Sequence, residues 1–450
     1  MRNSNRSAFR WKCSAASTTH YEQRRVLAPQ RLLAPNLLRD DKSFVEMLPV
    51  ILNLVILSLS LNANSQNCHP RKTILISLDG FWYGYIDRLR VLLGQQSNIV
   101  TLMERSAHAP DGIKSNYPTI TFANHISMIT GEYVENHGIV GKTFYDPATG
   151  KDVNVAHLDS SIWSYVKGEP VWAAYAKKHG QSKVACISWL GCNAPYHGIQ
   201  LNNTVPFSQK MTWTFKVDKI IKWLKNGVDL ILFYYPEPDG TGHSFGPYSV
   251  EMDQILKELD GKVGYLLRSL KNADLYEHVN LIITSDHGMA KVDSVQVIPR
   301  RPDLYHRWVK HDSYWLIQPK AGKTQATLDY LKPFTQRGKV SVFRKENIPA
   351  YWHFKRNDRI PEILVAAEPG VVLRIGYSGT MAGQHGYGSG SKRMRPIFMA
   401  HGASFNHHVN VTTKFATSDT NLIVRQSMCL PLPSFADKTY MRTVLPFVKY

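Results

Sequence analysis

Short, uninterrupted apolar runs alternate with longer segments of helical period along most of this chain. The runs are Thr73 to Leu78 (TILISL), Val184 to Ser188, Asp229 to Tyr235 (DLILFYY), Val279 to Thr284 (VNLIIT) and Pro396 to Ala400. Their lack of polar alternation predicts strands covered on both faces, as parallel sheets are. Helical patterns lie between them, notably Met211 to Lys225 and Ser249 to Leu270. Strands separated by helices imply right-handed crossovers, so the expected class is α/β: a doubly wound, mostly parallel sheet with helices on both faces. The stretch from about 290 to 380 is less regular. Strand-like Tyr314 to Gln318 and Val340 to Phe343 flank a helix near Thr324 to Thr335, which predicts a smaller inserted subdomain over the rim of the sheet.

Met47 to Leu61 (MLPVILNLVILSLSL) is apolar in a different way. It is short of the ~20 residues that a membrane helix needs and suits the apolar centre of a signal peptide. With Ala63 and Ser65 as a cleavage pattern, the mature chain is expected to start near Gln66; a retained signal anchor, attaching the protein to a membrane, is the alternative. The expected organisation is a basic leader over 1–46, the signal peptide or anchor over 47–65, one large domain over 66–430 and a C-terminal tail over 431–450.

Composition changes this picture little. Hydrophobic residues at 43% and charged residues at 20% exclude a disordered or fibrous chain. The net charge of +19 invites a nucleic-acid reading, but residues 1–46 alone carry nine basic against four acidic residues, and the remaining Lys and Arg are spread out. Such a surface suits attraction of small anionic substrates, and no specific nucleic-acid partner is expected. Beyond Cys13, four cysteines remain (Cys68, Cys186, Cys192, Cys429), an even set that fits an oxidising compartment, with Cys186–Cys192 the shortest closure. Asn202 and Asn410 open N-x-T sequons. Together these features predict a secreted or cell-surface protein.

Doubly wound sheets bind ligands beyond the carboxyl ends of their strands, so polar residues just after apolar runs matter most. Asp79 follows the first run, Asp239 and His243 follow FYYPEP, Asp286 and His287 follow LIITS, and His385 sits in the glycine-rich Gln384–Gly388. Carboxylates and imidazoles in this mixture suit zinc. One isolated Asp-x-x-x-His is usually incidental; the joint placement of several after strands is not. Thr121 is the candidate nucleophile: Pro118 keeps the preceding chain extended, and TFANHISMITG has helical spacing, which puts Thr121 at a helix N-terminus where an anion is favoured. Asn124, one turn on, is expected to donate to a developing oxyanion. The plain alternative for Thr121 is a helix N-cap. Three carboxylates and one alkoxide would balance two Zn²⁺ ions with neutral imidazoles, and no side-chain base is then needed.

In order, ISLDGF, PTITFANHISMITGEYVENHGIV, EPDGTGHSFGP, ITSDHGM and GQHGYG resemble the nucleotide pyrophosphatase/phosphodiesterase family of the alkaline phosphatase superfamily, in its compact form without extra modules. The resemblance runs from Lys72 to Met428 and includes FKRNDRIPEILVAAEPG. It implies that Asp239, His243 and His385 hold one zinc, that Asp79, Asp286 and His287 hold the other with Thr121 bridging toward it, and that Asn124 steadies the phosphoryl oxygen. Phe122 and Tyr234 match positions that sandwich a nucleobase. The implied reaction is hydrolysis of an extracellular nucleotide or dinucleotide through a phospho-threonine, releasing a nucleoside 5'-monophosphate; a choline-phosphate ester is the alternative substrate. Ile120 and Ala123 depart from the Lys and Pro of many relatives, which bears on substrate preference. The C-terminus, TYMRTVLPFVKY, lacks the apolar span expected of membrane-bound compact relatives.

Overall fold

The computed structural model describes residues 70–450, apart from 159–160, 377–378, 380, 413, 437–442, 445 and 450. The expected leader, the Met47–Leu61 segment, Cys13 and Cys68 lie outside the described residues. Among the described residues no helix is long and apolar enough to cross a membrane.

Five strands form the centre of an eight-stranded sheet: β1 (Lys72–Leu78), β2 (Val184–Ile187), β3 (Leu230–Tyr235), β4 (Val279–Thr284) and β5 (Phe398–His401). The spatial order is β5-β4-β1-β3-β2, flanked by Ala107–His108 and Val409–Asn410 on one side and Asn203–Val205 on the other. β1 pairs in parallel with both β3 and β4, and β2 with β3. β5 is antiparallel to β4, so the fifth apolar run belongs to the sheet but reverses its direction.

The alternation along β1 separates its apolar side chains from its two small hydroxyl residues. Ile74, Ile76 and Leu78 enter one core with the helices Trp213–Lys225 and Val250–Asn272, each side chain contributing about 1.5–3 kcal/mol by burial. Thr73 and Ser77 face the other side, where the Thr73 hydroxyl meets Ser427 at 3.3 Å and Ser77 meets His125 at 2.9 Å. Helices therefore cover both faces, and the expected fold class holds. These two hydroxyls are buried but paired.

On that second face lies α1 (Thr121–Thr130), closed by Gly131 in the left-handed region at φ 78°. Behind it, His137 is fully buried; its Nδ1 accepts from Ile139 N at 3.1 Å, which leaves Nε2–H to meet Ser127 Oγ at 3.0 Å. Burial pushes this imidazole from its ordinary 6.5 down to about 3. A folded value below the unfolded one means stability that is complete above 6.5 and lost as pH falls toward 3, at about 1.4 kcal/mol per pH unit. Between pH 7 and pH 5 the wild type should lose about 2 kcal/mol more than His137→Gln in urea melts. Parallel losses in the two proteins would refute the assignment.

The less regular region forms a four-stranded antiparallel sheet with its own core, built from Tyr305–Lys310, Tyr314–Pro319, Ile363–Ala367 and Val340–Arg344, with the helix Thr324–Thr335 against it. Its first turn brings His311 within 6.0 Å of the His385 ring, so this sheet does reach the rim. Part of the expected 431–450 tail packs onto the large domain. Phe447 is fully buried, 5.1 Å from Phe398 and 5.2 Å from Phe415, because an apolar stretch of that length gains more by burial than by exposure.

Candidate active site

Three parallel strands of the central sheet, β1, β3 and β4, deliver polar residues at the same end. Asp79 follows β1, and its carbonyl accepts from Asp239 N at 3.0 Å, which ties the first and third strand ends together. The approach requires Gly80: at φ 68°, a Cβ there would stand 2.9 Å from that of Asp239. Asp239–Phe245 (α2) is a seven-residue helix rather than the turn that its two glycines suggest, and this sets Asp239 and His243 one turn apart on a single face. Gly383, two residues before His385, packs against Gly242, where a Cβ would meet the Gly242 carbonyl at 2.3 Å. Asp286 and His287 follow β4 after one intervening residue, Ser285.

The result is one cluster. Nε2 of His243 lies 3.4 Å from Asp239, and Nε2 of His385 lies 3.6 Å from the same carboxylate. Nε2 of His287 lies 3.4 Å from Asp79 and 3.2 Å from Asp286. Two sets of ligand atoms, Asp239–His243–His385 and Asp79–Asp239–His287, each fit within 4.8 Å. The second set holds Asp239 where the sequence reading placed Asp286, because the Asp239 carboxylate stands between the two groups; Asp286 still reaches His287 with Oδ2.

Two features suit this cluster to cations. Oδ1 of Asp79, Oδ1 of Asp239 and Oδ2 of Asp286 are buried without a hydrogen-bond partner. All three imidazoles turn Nδ1 to a backbone carbonyl at 2.9 Å: His243 to Gly383, His287 to Gly288, and His385 to Thr119. This fixes the tautomer that leaves each Nε2 lone pair facing the carboxylates, as metal-binding histidines require. Burial, then the charges of Asp286 and Asp239, push the Asp79 carboxyl well above its usual range. Burial, then His287 and His243, push His385 well below its own. For Asp286, burial works upward, but His287 and His125 outweigh it and hold the carboxyl below its ordinary value. Acids so close together and so deeply buried are costly without positive charge between them.

Thr121 is the first residue of α1, and its Oγ1 lies 3.3 Å from His287 Nε2. No side chain caps this helix; its N-cap position is Ile120. Thr121 is thus not the capping residue, and the first-turn amides stay open toward an anion. Asn124 corrects the sequence reading. It is fully buried, its amide donates to the carbonyls of Asn116, Pro118 and Ile120, and its oxygen accepts from Asn116 N and Thr417 Oγ1. A side chain with every donor committed to backbone holds the approach to the helix and does not face a reacting group.

A cavity of about 630 Å³ opens beside Thr121, lined by Phe122 and Tyr234 and also by His125, Leu158, Trp189, Leu190, Asn193 and Phe207. The Tyr234 hydroxyl donates to Asp79 at 2.5 Å, so one ring borders both the cavity and the cluster. His125 was not singled out from sequence; its Nδ1 donates to Thr121 O at 2.8 Å, and its ring lies 5.0 Å from that of Tyr234. Trp189 was missed too. It follows β2 by two residues, and a search beyond strand ends for aromatic as well as polar residues would have found it.

The family model for type I phosphodiesterase / nucleotide pyrophosphatase matches residues 73–388. The human protein named ectonucleotide pyrophosphatase/phosphodiesterase family member 5 is 30% identical over 388 residues, 83% of this chain and 77% of that protein. The bis(5'-adenosyl)-triphosphatase of Xenopus laevis is 32% identical over 373 residues, 81% of this chain and 78% of the relative. Among solved structures, murine ectonucleotide pyrophosphatase/phosphodiesterase 5, as an inactive threonine-to-alanine variant in complex with AMP, superposes with a TM-score of 0.75 at 28% identity, covering 83% of this chain and 99% of that one.

Proposed function

The chain belongs to the type I phosphodiesterase / nucleotide pyrophosphatase family, and from that premise we propose that it hydrolyses nucleotide phosphodiester and pyrophosphate bonds through a phospho-threonine on Thr121. It is accordingly a hydrolase. One observation carries the finer reading: Thr121 brings an aliphatic hydroxyl at a helix N-terminus to the place where the aromatic cavity meets the carboxylate–imidazole cluster.

Asp239, His243 and His385 would hold one zinc, and Asp79, Asp286 and His287, with Asp239 alongside, a second. When bound, the two ions would lower the pKa of the Thr121 hydroxyl and neutralise charge on the phosphoryl oxygens. The protein's own part is positional. Phe122 and Tyr234 receive a base from the cavity side, which aims the α-phosphorus at Thr121 Oγ1. With Asn124 committed elsewhere, the open amides at the start of α1 are the donors left for a phosphoryl oxygen. Attack by Thr121 Oγ1 breaks the bond to the leaving group, and water then cleaves the phospho-threonine, releasing a nucleoside 5'-monophosphate. The buried Cys186–Cys192 disulfide and the exposed Asn202 and Asn410 support an extracytoplasmic setting.

A substrate panel tests this reading: ATP, bis(5'-adenosyl) triphosphate, NAD and glycerophosphocholine assayed side by side. The nucleotides should be cleaved, and Phe122→Ala should raise KM for bis(5'-adenosyl) triphosphate by roughly 5- to 100-fold, the weight of one stacked base. Aromatic rings also attract quaternary ammonium groups, which is why the choline ester belongs in the panel. Turnover of that ester alone would overturn the nucleotide reading.

A further inference from the structure

One wall of the cavity is a short loop with few ties of its own. β2 ends at Ile187, and the next residue, Ser188, takes the left-handed conformation at φ 58°, which costs a residue bearing a Cβ about 1–2 kcal/mol. Ser188, Trp189, Leu190 and Gly191 then line the cavity before the chain reaches Cys192. Besides the turn bonds within it, which run to Trp189 O and Gly191 O from Cys192 N and Ala194 N, the loop has three ties to the surrounding fold. Ser188 N donates to Val205 O at 2.7 Å, the Trp163 indole donates to Gly191 O at 2.9 Å, and a disulfide joins Cys192 back to Cys186 inside β2. Both cysteines are 1% exposed, so the bridge lies behind the wall and does not form its surface.

The loop carries Trp189, which is 2% exposed and backs the cavity wall. Its ring packs edge-on against His125 at 5.1 Å, and His125 in turn packs against Tyr234 and holds the Thr121 carbonyl. The position of Trp189 therefore sets the width of the cavity beside the two rings that receive the base. None of the carboxylates or imidazoles of the cluster lies on this loop.

We propose that the Cys186–Cys192 disulfide is a positioning element for substrate recognition: it locks residues 188–191 so that Trp189 closes the cavity around a nucleobase. The inference rests on the reading of that cavity as a base site. Without the bridge, the strained turn at Ser188 relaxes and the wall retreats from the base. The bond-breaking residues stay where they are. The disulfide thus governs affinity for substrates that carry a base and leaves the chemical step alone.

The test compares the metal-loaded wild type with C186A/C192A in two measurements. The first is AMP affinity by titration calorimetry. The second is steady-state turnover of bis(5'-adenosyl) triphosphate and of methyl p-nitrophenyl phosphate, which carries no base. In the variant, Kd for AMP and KM for the dinucleotide should rise about tenfold, equivalent to about 1.4 kcal/mol. Its kcat on the baseless ester should stay within about twofold. Should the variant not fold, C186V/C192A restores volume on β2 and takes its place. An unchanged AMP Kd beside normal wild-type turnover overturns the role of the disulfide and leaves the proposed function intact. A wild type that binds AMP but cleaves no nucleotide overturns the proposed function, and the Kd comparison still decides the role of the disulfide. A wild type that binds no AMP overturns both.

Discussion

Thr121→Ala is expected to lower turnover of bis(5'-adenosyl) triphosphate by about 10⁴-fold or more while leaving AMP affinity within about threefold. The side chain brings an aliphatic hydroxyl to both the cavity and the cluster, 3.3 Å from His287 Nε2, so in the proposed reaction its loss removes the nucleophile and touches few base contacts. Thr121→Ser keeps the hydroxyl and should retain measurable turnover, lowered by the freer rotation of a side chain without the β-methyl group. Acid quenching during turnover of a ³²P-labelled substrate should trap label on the wild type and on Thr121→Ser, and none on Thr121→Ala. Undiminished turnover in the alanine variant would exclude the covalent route.

Dialysis against a strong chelator should cost more than about 100-fold in activity, with recovery on adding Zn²⁺. The protein should also lose thermal stability, since a cation bound only by the folded state contributes about 2.7 kcal/mol per site at a concentration a hundred times its Kd. Single variants separate the two ligand sets. Asp239 belongs to both sets, so Asp239→Ala should reduce bound metal from about two ions per chain to less than one, measured by plasma emission. His243 belongs to one, and His243→Ala should retain about one ion. Equal metal content in the two variants would show that the carboxylate does not stand between two sites. The three carboxylate oxygens buried without a hydrogen-bond partner set the direction, because gathering them without a cation is costly.

Much of the framework was legible along the chain. Apolar runs without polar breaks marked β1 to β4 to within a residue or so, because a strand covered on both faces cannot afford a polar side chain unless it is paired. The rule that ligands bind beyond strand ends then singled out Asp79, Asp239, Asp286 and His287 before any coordinates, and the structure gathers them with His243 and His385. The Asp239–His243 segment was less transparent. Its two glycines argue for a turn, yet packing of Gly242 against Gly383 lets a short helix form where local propensity disfavours one.

What the order of residues determined by itself was periodicity and position: which segments are strands, which residues stand at their ends, and which helix begins at Thr121. Direction was decided elsewhere. Asn124 sits one turn beyond Thr121, as its spacing requires, yet Thr417 and the carbonyls of Asn116, Pro118 and Ile120 turn it inward, and Thr417 is 293 residues away. Trp189 walls the cavity only because β2 lies beside β3 and carries its loop next to Tyr234. The strand β5 runs antiparallel to β4, a direction that its apolar run did not specify. Spacing specifies the face of an element on which a side chain lies; which distant groups meet that face, and hence whether the side chain binds substrate or backbone, depends on packing between segments that local sequence does not encode.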